Sequence, residues 1–180
     1  APSLIRHLGA ETPSDWVTRF LADHEGAGSL SDAQDEFAES RHEASRLAID
    51  HFVSQSQPIE GTAAETYLQS RGINAPYPAC VYYVADARVG EGAMVAVVAG
   101  PDGAAAVQLT YITPGGDKST VAPARRLYVG QTDWFAGGGF ALTENGAPAR
   151  TIIVEGVEDA LSLRQAQAGT CIVASFGASN

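Results

Sequence analysis

The segment Thr151–Ser175, TIIVEGVEDALSLRQAQAGTCIVAS, limits the fold more than any other part of the chain. TIIVE is an unbroken apolar run ending in a carboxylate, and it reads as a strand buried on both faces. Gly156 follows at once. Residues 157–168 then carry a helical pattern with Ala160, Leu161, Leu163 and Ala166 among its apolar positions. Gly169 closes that helix, and TCIVAS reads as a second buried strand. Strand, helix and strand in this order imply two parallel strands joined by a right-handed crossover. Two strands alone cannot bury both faces. The expectation is therefore that the preceding strands complete the sheet, or that the natural protein continues past Asn180.

Three carboxylates, Glu155, Glu158 and Asp159, sit where the strand hands over to the helix. The loop at the C-terminal end of a strand in an α/β unit is where ligand chemistry collects. Gly156 permits a tight turn and close backbone approach. Asp159 lies four residues after Glu155, so the two can face one site. Two hard oxygen ligands suit Mg²⁺ or Mn²⁺, which keep several waters. The competing reading is electrostatic: acids in a first helical turn stabilise it by about 0.3–1 kcal/mol each. Glu158 is assigned to that role, and spacing alone leaves both readings open for Glu155 and Asp159.

Upstream, the chain changes character twice. Thr12 caps a first helix with Trp16, Val17, Phe20 and Leu21 on one face. Ser31, with Gln34 at capping-box spacing, opens a second whose stripe is Phe37, Ala44, Leu47, Ala48 and Phe52. Pro58 stops it. Thr62 and Glu65 form another capping box, and Gly72 ends that helix. From Pro76 the period becomes that of strands: CVYYVA, AMVAVVA, AAVQLTYIT, RRLYVG and GGFALT, separated by turn chemistry. ENGAPAR is a polar linker. The expected domains are a helical region 1–57, an antiparallel-strand subdomain 58–148 and the β-α-β unit 149–180. In fold class this is an α/β element order within an α+β whole.

Composition bounds the function. The 180 residues are 45% hydrophobic and 18% charged, a folding composition. No apolar run is long enough to span a bilayer. The start has neither an initiator Met nor a signal-peptide core, so a chain processed or cut from a longer protein is expected. Cys80 and Cys171 sit in apolar stretches without a CxxC or Cys/His cluster. No zinc is expected, and free thiols point to a reducing, cytoplasmic setting. The net charge of −10 argues against a broad nucleic-acid-binding surface. Yet between Asp117 and Asp133 there is no acid, while Lys118, Arg125 and Arg126 fall there. A local basic patch is expected.

IIVEGVEDALSLRQAQAGTCIVASFGAS resembles the first half of a Toprim domain, the catalytic fold of DnaG-type primases and of type IA and II topoisomerases. The family pattern is an apolar strand, Glu-Gly, an Asp four residues after the Glu, a helix, a Gly, a second apolar strand and a small-residue loop. AMVAVVAGPDGAAAVQLTYITPGGDKSTVAPARRLYVG is similar to the segment that precedes Toprim in primase cores. PIEGTAAETYLQSRGI is similar to the opening of primase/helicase-like proteins of phages, plasmids and integrated mobile elements. The resemblance covers roughly residues 58–180.

The resemblance implies a Rossmann-like parallel sheet, of which residues 149–180 supply the first β-α-β. It implies a DNA primase that makes RNA primers by Mg²⁺- or Mn²⁺-dependent nucleotidyl transfer. Glu155 would be the metal-linked acid/base and Asp159 the accompanying acid. Lys118 would contact nucleotide phosphates or template. Arg125 and Arg126 match more loosely and read either as helpers there or as a solvated strand end. The implied partners are DNA template, NTPs and a helicase module, with no membrane. The pattern departs from the family in two respects: a Toprim site needs a later Asp-x-Asp, and no Asp follows Asp159 here; and no zinc-binding domain of the kind that precedes many primase cores is read, consistent with only two cysteines. The chain is therefore expected to be an N-terminal portion, inactive by itself. Two alternatives stand beside this reading. One is a non-catalytic nucleic-acid- or protein-binding module with a degenerate Toprim fold. The other is Toprim chemistry of the nuclease or topoisomerase type.

Overall fold

The structure, a computed structural model, describes residues 30–100, 103–130, 140–142, 150–167 and 169–176, with side chains from Gln34 onward. The helix expected after Thr12 and most of the linker 144–150 lie outside the described residues. The fold is mixed α+β. Two compact units divide the chain, Ala1–Ala48 and Ile49–Asn180. In the first, helix α1 (Leu30–Ser54) begins. Asp35, Glu36, Glu39, Arg41, His42 and Glu43 are exposed on it, as a solvated face requires.

The second unit holds both strand groups. Its helix α2 (Ala63–Ser70) starts where the capping chemistry placed it. The Thr62 hydroxyl accepts from the Ala64 N–H at 3.2 Å, and the Glu65 carboxylate accepts from the Gly61 N–H at 2.7 Å. The reciprocal half of the capping box is thus shifted by one residue. At the other end Gly72 takes φ +74 and lets the Ile73 N–H reach back to the Leu68 carbonyl at 3.0 Å.

Strands β1 (Val81–Arg88), β2 (Glu91–Gly100), β3 (Gly103–Ile112) and β4 (Arg125–Val129) form one antiparallel sheet in sequential order. Register places Tyr83 opposite Met94, Ala96 opposite Gln108, and Gln108 opposite Leu127. Tyr83, Met94, Ala96, Gln108 and Leu127 therefore share one face. Val95, Leu109 and Arg126 share the other. The central strands are buried on both faces, which explains the near-continuous apolar sequence of β2 and β3.

The fifth strand, β5 (Phe140–Leu142), does not extend this sheet. It pairs antiparallel with β7 (Cys171–Ala174), which pairs in parallel with β6 (Thr151–Val154). Helix α3 (Val157–Ala166) links the two parallel strands. This second sheet is mixed, in the order β5-β7-β6. The two sheets and α2 meet in one core, in which Tyr67, Leu68, Met94, Ile112, Phe140, Leu161 and Ile172 are all buried. Each such aliphatic or aromatic side chain contributes about 1.5–3 kcal/mol by leaving water.

TIIVE differs from its expectation. Burial alternates along it: Thr151 and Ile153 (72% exposed) lie on an open face, while Ile152 and Val154 are half-buried on the other. An apolar run reports that a strand can be buried on both faces; what packs on each face decides whether it is.

Candidate functional site

β6 and β7 end together. Val154 lies opposite Ala174, and the ladder runs one step further: the Ser175 N–H donates to the Val154 carbonyl at 2.8 Å and the Phe176 N–H to the Glu155 carbonyl at 3.0 Å. Glu155 therefore leaves the sheet from a fixed backbone, with its side chain exposed. Gly156 is the N-cap of α3, with φ −108 and ψ 153. This is extended backbone open to any residue, so the turn itself does not need glycine. What glycine supplies is close approach, since a Cβ there would lie 3.3 Å from Asp159 Oδ2. The exposed Asp159 carboxylate thus folds back over Gly156, the residue that follows Glu155.

Glu158 goes the other way. It is 7% exposed, and its Oε1 accepts from the Tyr67 hydroxyl at 2.8 Å and from Arg125 at 3.1 Å. Burial pushes the Glu158 carboxyl up. Its own backbone N–H, the Tyr67 hydroxyl and the charges of Arg125 and Lys118 outweigh burial and hold it below the ordinary range. Burial first, and then the Glu158 charge, push the Tyr67 phenol up, so Tyr67 stays the donor. The carboxylate read from sequence as helix-start electrostatics is thereby a tie between α3, α2 and β4. Because its folded pKa lies below the reference 4.5, its contribution to stability is present above pH 4.5. That contribution is lost as pH falls through the lower folded value. Glu158→Gln should flatten the acid limb of the Tm-versus-pH curve; parallel curves for the two proteins would remove this role. Tyr67→Phe should cost about 1.5–3 kcal/mol, the loss of a hydrogen bond to a charged group, measured by urea unfolding.

The basic residues separate by face. Arg125 shares the face of Leu127 and meets Glu158, with its side chain 44% exposed. Arg126 points to the opposite face and lies over the Tyr128 ring at 5.6 Å. Neighbours in one strand must diverge in this way. Lys118 is half-buried beside the end of β3, bridged to Ile112. Burial lowers its pKa, as do Arg125 and Arg71, while Glu158 opposes them. Arg71, at the C-cap of α2, stacks on Tyr67 with 4.7 Å to the ring centroid. Lys118 and Arg125 thus act on one buried carboxylate, and Arg71 lies over the Tyr67 ring whose hydroxyl bonds that carboxylate. The loop bearing Lys118 is held by Arg88, which donates to the Ser119 hydroxyl at 2.6 Å and the Val121 carbonyl at 3.0 Å.

Between the sheets lies a cleft of about 220 Å³ lined by Gln108, Arg125, Arg126, Leu127, Glu155 and Phe176. Glu155, Arg125 and Arg126 therefore border one space, whereas Lys118 and Asp159 do not line it.

Residues 43–133 match the family described as Domain of unknown function (DUF7146), half of the chain. The chain belongs to the DUF7146 family. No curated protein and no solved structure matches it. The DUF7146 match takes in α2, the whole antiparallel sheet, Arg71, Lys118, Arg125 and Arg126; Glu155 and Asp159 lie outside it.

Sequence reasoning missed Arg71, Tyr67 and Gln108. The signals were slight. Tyr67 and Arg71 stand at the i, i+4 spacing of a helical pair. Gln108 is a polar residue inside a buried strand.

Proposed function

We propose that this DUF7146 chain is part of a Toprim-type DNA primase, with the Glu155–Asp159 edge as the acidic half of its catalytic site. The observation that carries the reading is the exposed Glu155 at the C-terminal end of β6, in a parallel β-α-β unit, across a cleft from Arg125. Charge of both signs then borders one space, as nucleotidyl transfer needs. A carboxylate can hold a proton or a cation, and guanidinium groups can hold phosphate.

The donor set fits a hard divalent ion. Glu155, just before the α3 N-cap, and Asp159, in its first turn, are oxygen ligands, and among the described residues no group of three or more Asp, Glu, His or Cys could hold a metal. Mg²⁺ and Mn²⁺ accept one or two carboxylates and keep their remaining waters. Such an ion supplies charge stabilisation on phosphoryl oxygens. Around it, this chain's residues orient and neutralise: Arg125, fixed by Glu158, presents a cation to the cleft, and Lys118 and Arg71 extend the positive surface.

In the full-length gene product, Glu155→Gln should slow templated primer synthesis by a factor on the order of 10²–10⁴ without altering the fold. Retained synthesis would sink the reading. A non-catalytic nucleic-acid-binding module is the second reading, supported by the Arg71–Lys118–Arg125 cluster. Both readings expect single-stranded DNA affinity to fall linearly in log salt, and Lys118→Met to reduce the slope by about one. Only the first expects synthesis to depend on Glu155.

A further inference from the structure

Gln108 is buried without reason in the fold. It is 6% exposed, in the middle of β3, and its Oε1 has no hydrogen-bond partner among the described residues. A buried amide oxygen left unpaired is unfavourable, and most native proteins avoid it. Register places Gln108 beside Leu127 on the face that also carries Arg125, and all three line the cleft. Across the cleft stands Phe176. It takes φ 62, a left-handed backbone that a bulky residue adopts only when its surroundings hold it there. The hydrogen bond from its N–H to the Glu155 carbonyl is part of that hold. An unsatisfied amide, an aromatic ring that packs on Phe140 at 6.3 Å between centroids, and an apolar Leu127 therefore border one small space whose lining includes two arginines.

We infer that this cleft is a nucleobase subsite, in which Gln108 reads the hydrogen-bonding edge of the base, Phe176 offers a stacking surface, and Arg125 faces the attached phosphate. The chemistry of the lining selects the ligand class. An amide pairs with the donor and acceptor edge of a base. An aromatic face stacks on its ring. Arginine binds phosphate by charge and geometry. A cleft of about 220 Å³ falls below the roughly 300–1,000 Å³ of sites that enclose drug-sized ligands, which suits one base and not a larger ring system. The inference rests on the primase reading for the identity of the substrate, but not for its test. The base could belong to an incoming nucleotide or to a single strand.

The test is calorimetric titration of the chain with an equimolar NTP mixture, inorganic tripolyphosphate, a short single-stranded oligodeoxynucleotide and its abasic counterpart. The NTPs or the base-bearing strand should bind more tightly than the base-free ligand of the same charge. Gln108→Leu should remove that difference, lowering affinity by about tenfold, while leaving tripolyphosphate and abasic-strand binding unchanged. It should also leave Tm equal or higher, because an unpaired buried amide is lost. A structural role would do the opposite. Gln108→Met serves where the Leu variant does not fold. Selective loss for NTPs assigns the subsite to the incoming nucleotide, and selective loss for the oligonucleotide assigns it to the strand. Equal binding of base-bearing and base-free ligands, or no effect of either variant, overturns the inference. If base-dependent binding through Gln108 is found while primer synthesis is indifferent to Glu155→Gln, the subsite stands and the primase reading falls.

Discussion

Glu155→Gln in the full-length gene product is expected to slow templated primer synthesis by a factor on the order of 10²–10⁴, the usual worth of a positioned acid or base. That factor corresponds to about 2.7–5.4 kcal/mol of barrier. Gln matches Glu in shape but carries no charge, so it can neither hold a proton for transfer nor bind a divalent ion strongly. The same change should hardly touch stability. The Glu155 side chain is exposed, and what fixes this residue in the fold is its backbone carbonyl, bonded by the Phe176 N–H at 3.0 Å. A surface change of this kind shifts unfolding by about 0.5 kcal/mol or less. Asp159→Asn should act in the same direction. Glu158→Gln should instead move stability and its acid dependence, because Glu158 is tied to Tyr67 and Arg125. Activity loss matched by a fall in Tm for Glu155→Gln would make Glu155 structural. Full activity with full stability would remove it from the chemistry.

The antiparallel strands could be read in the sequence because each carries a local signal: apolar run, turn residues, apolar run. Helix α2 was legible for the same reason, through Thr62, Glu65 and Gly72. The sheet to which β5 belongs was not legible. FAL has the same periodicity whether it extends β4 or pairs with β7, and the choice is made by tertiary contacts. Ile153 illustrates the same limit, since its exposure depends on which face of β6 the rest of the fold covers. At the site, the turn bearing Glu155 and Asp159 was visible from spacing. The fate of Glu158 was not, because its partners come from residues 67 and 125, far away in sequence. A helical wheel would have placed Glu158 beside Leu161 on the inward side, yet nothing local says which hydroxyl or cation awaits it. The divergence of Arg125 and Arg126 was available from strand alternation alone.

Gly92→Val is expected to cost more stability than any single change at the site, about 3 kcal/mol, the upper end for overpacking a filled core. Gly92 lies in β2, and the Tyr83 side chain of the neighbouring β1 crosses directly over it. A Cβ there would overlap the Tyr83 hydroxyl and ring atoms at separations no real structure tolerates. An aromatic laid across a strand glycine covers backbone that would otherwise be bare. The ring has little freedom to leave. Tyr83 is 8% exposed and belongs to the common core, and its backbone exchanges two hydrogen bonds of 2.9 Å with Gln57. For a chain of this size each kcal/mol moves Tm by roughly 2–4 °C, so a fall of about 6–12 °C follows. Tyr83→Ala in the same chain supplies the decisive comparison. With the ring gone, the collision disappears, and adding Gly92→Val to Tyr83→Ala should cost little further, giving a coupling energy of about 2 kcal/mol or more. If Gly92→Val costs as much without the ring as with it, the penalty comes from the strand backbone and not from Tyr83. The cross-strand cover would then have no part in holding the sheet on which Gln108 and Arg125 stand.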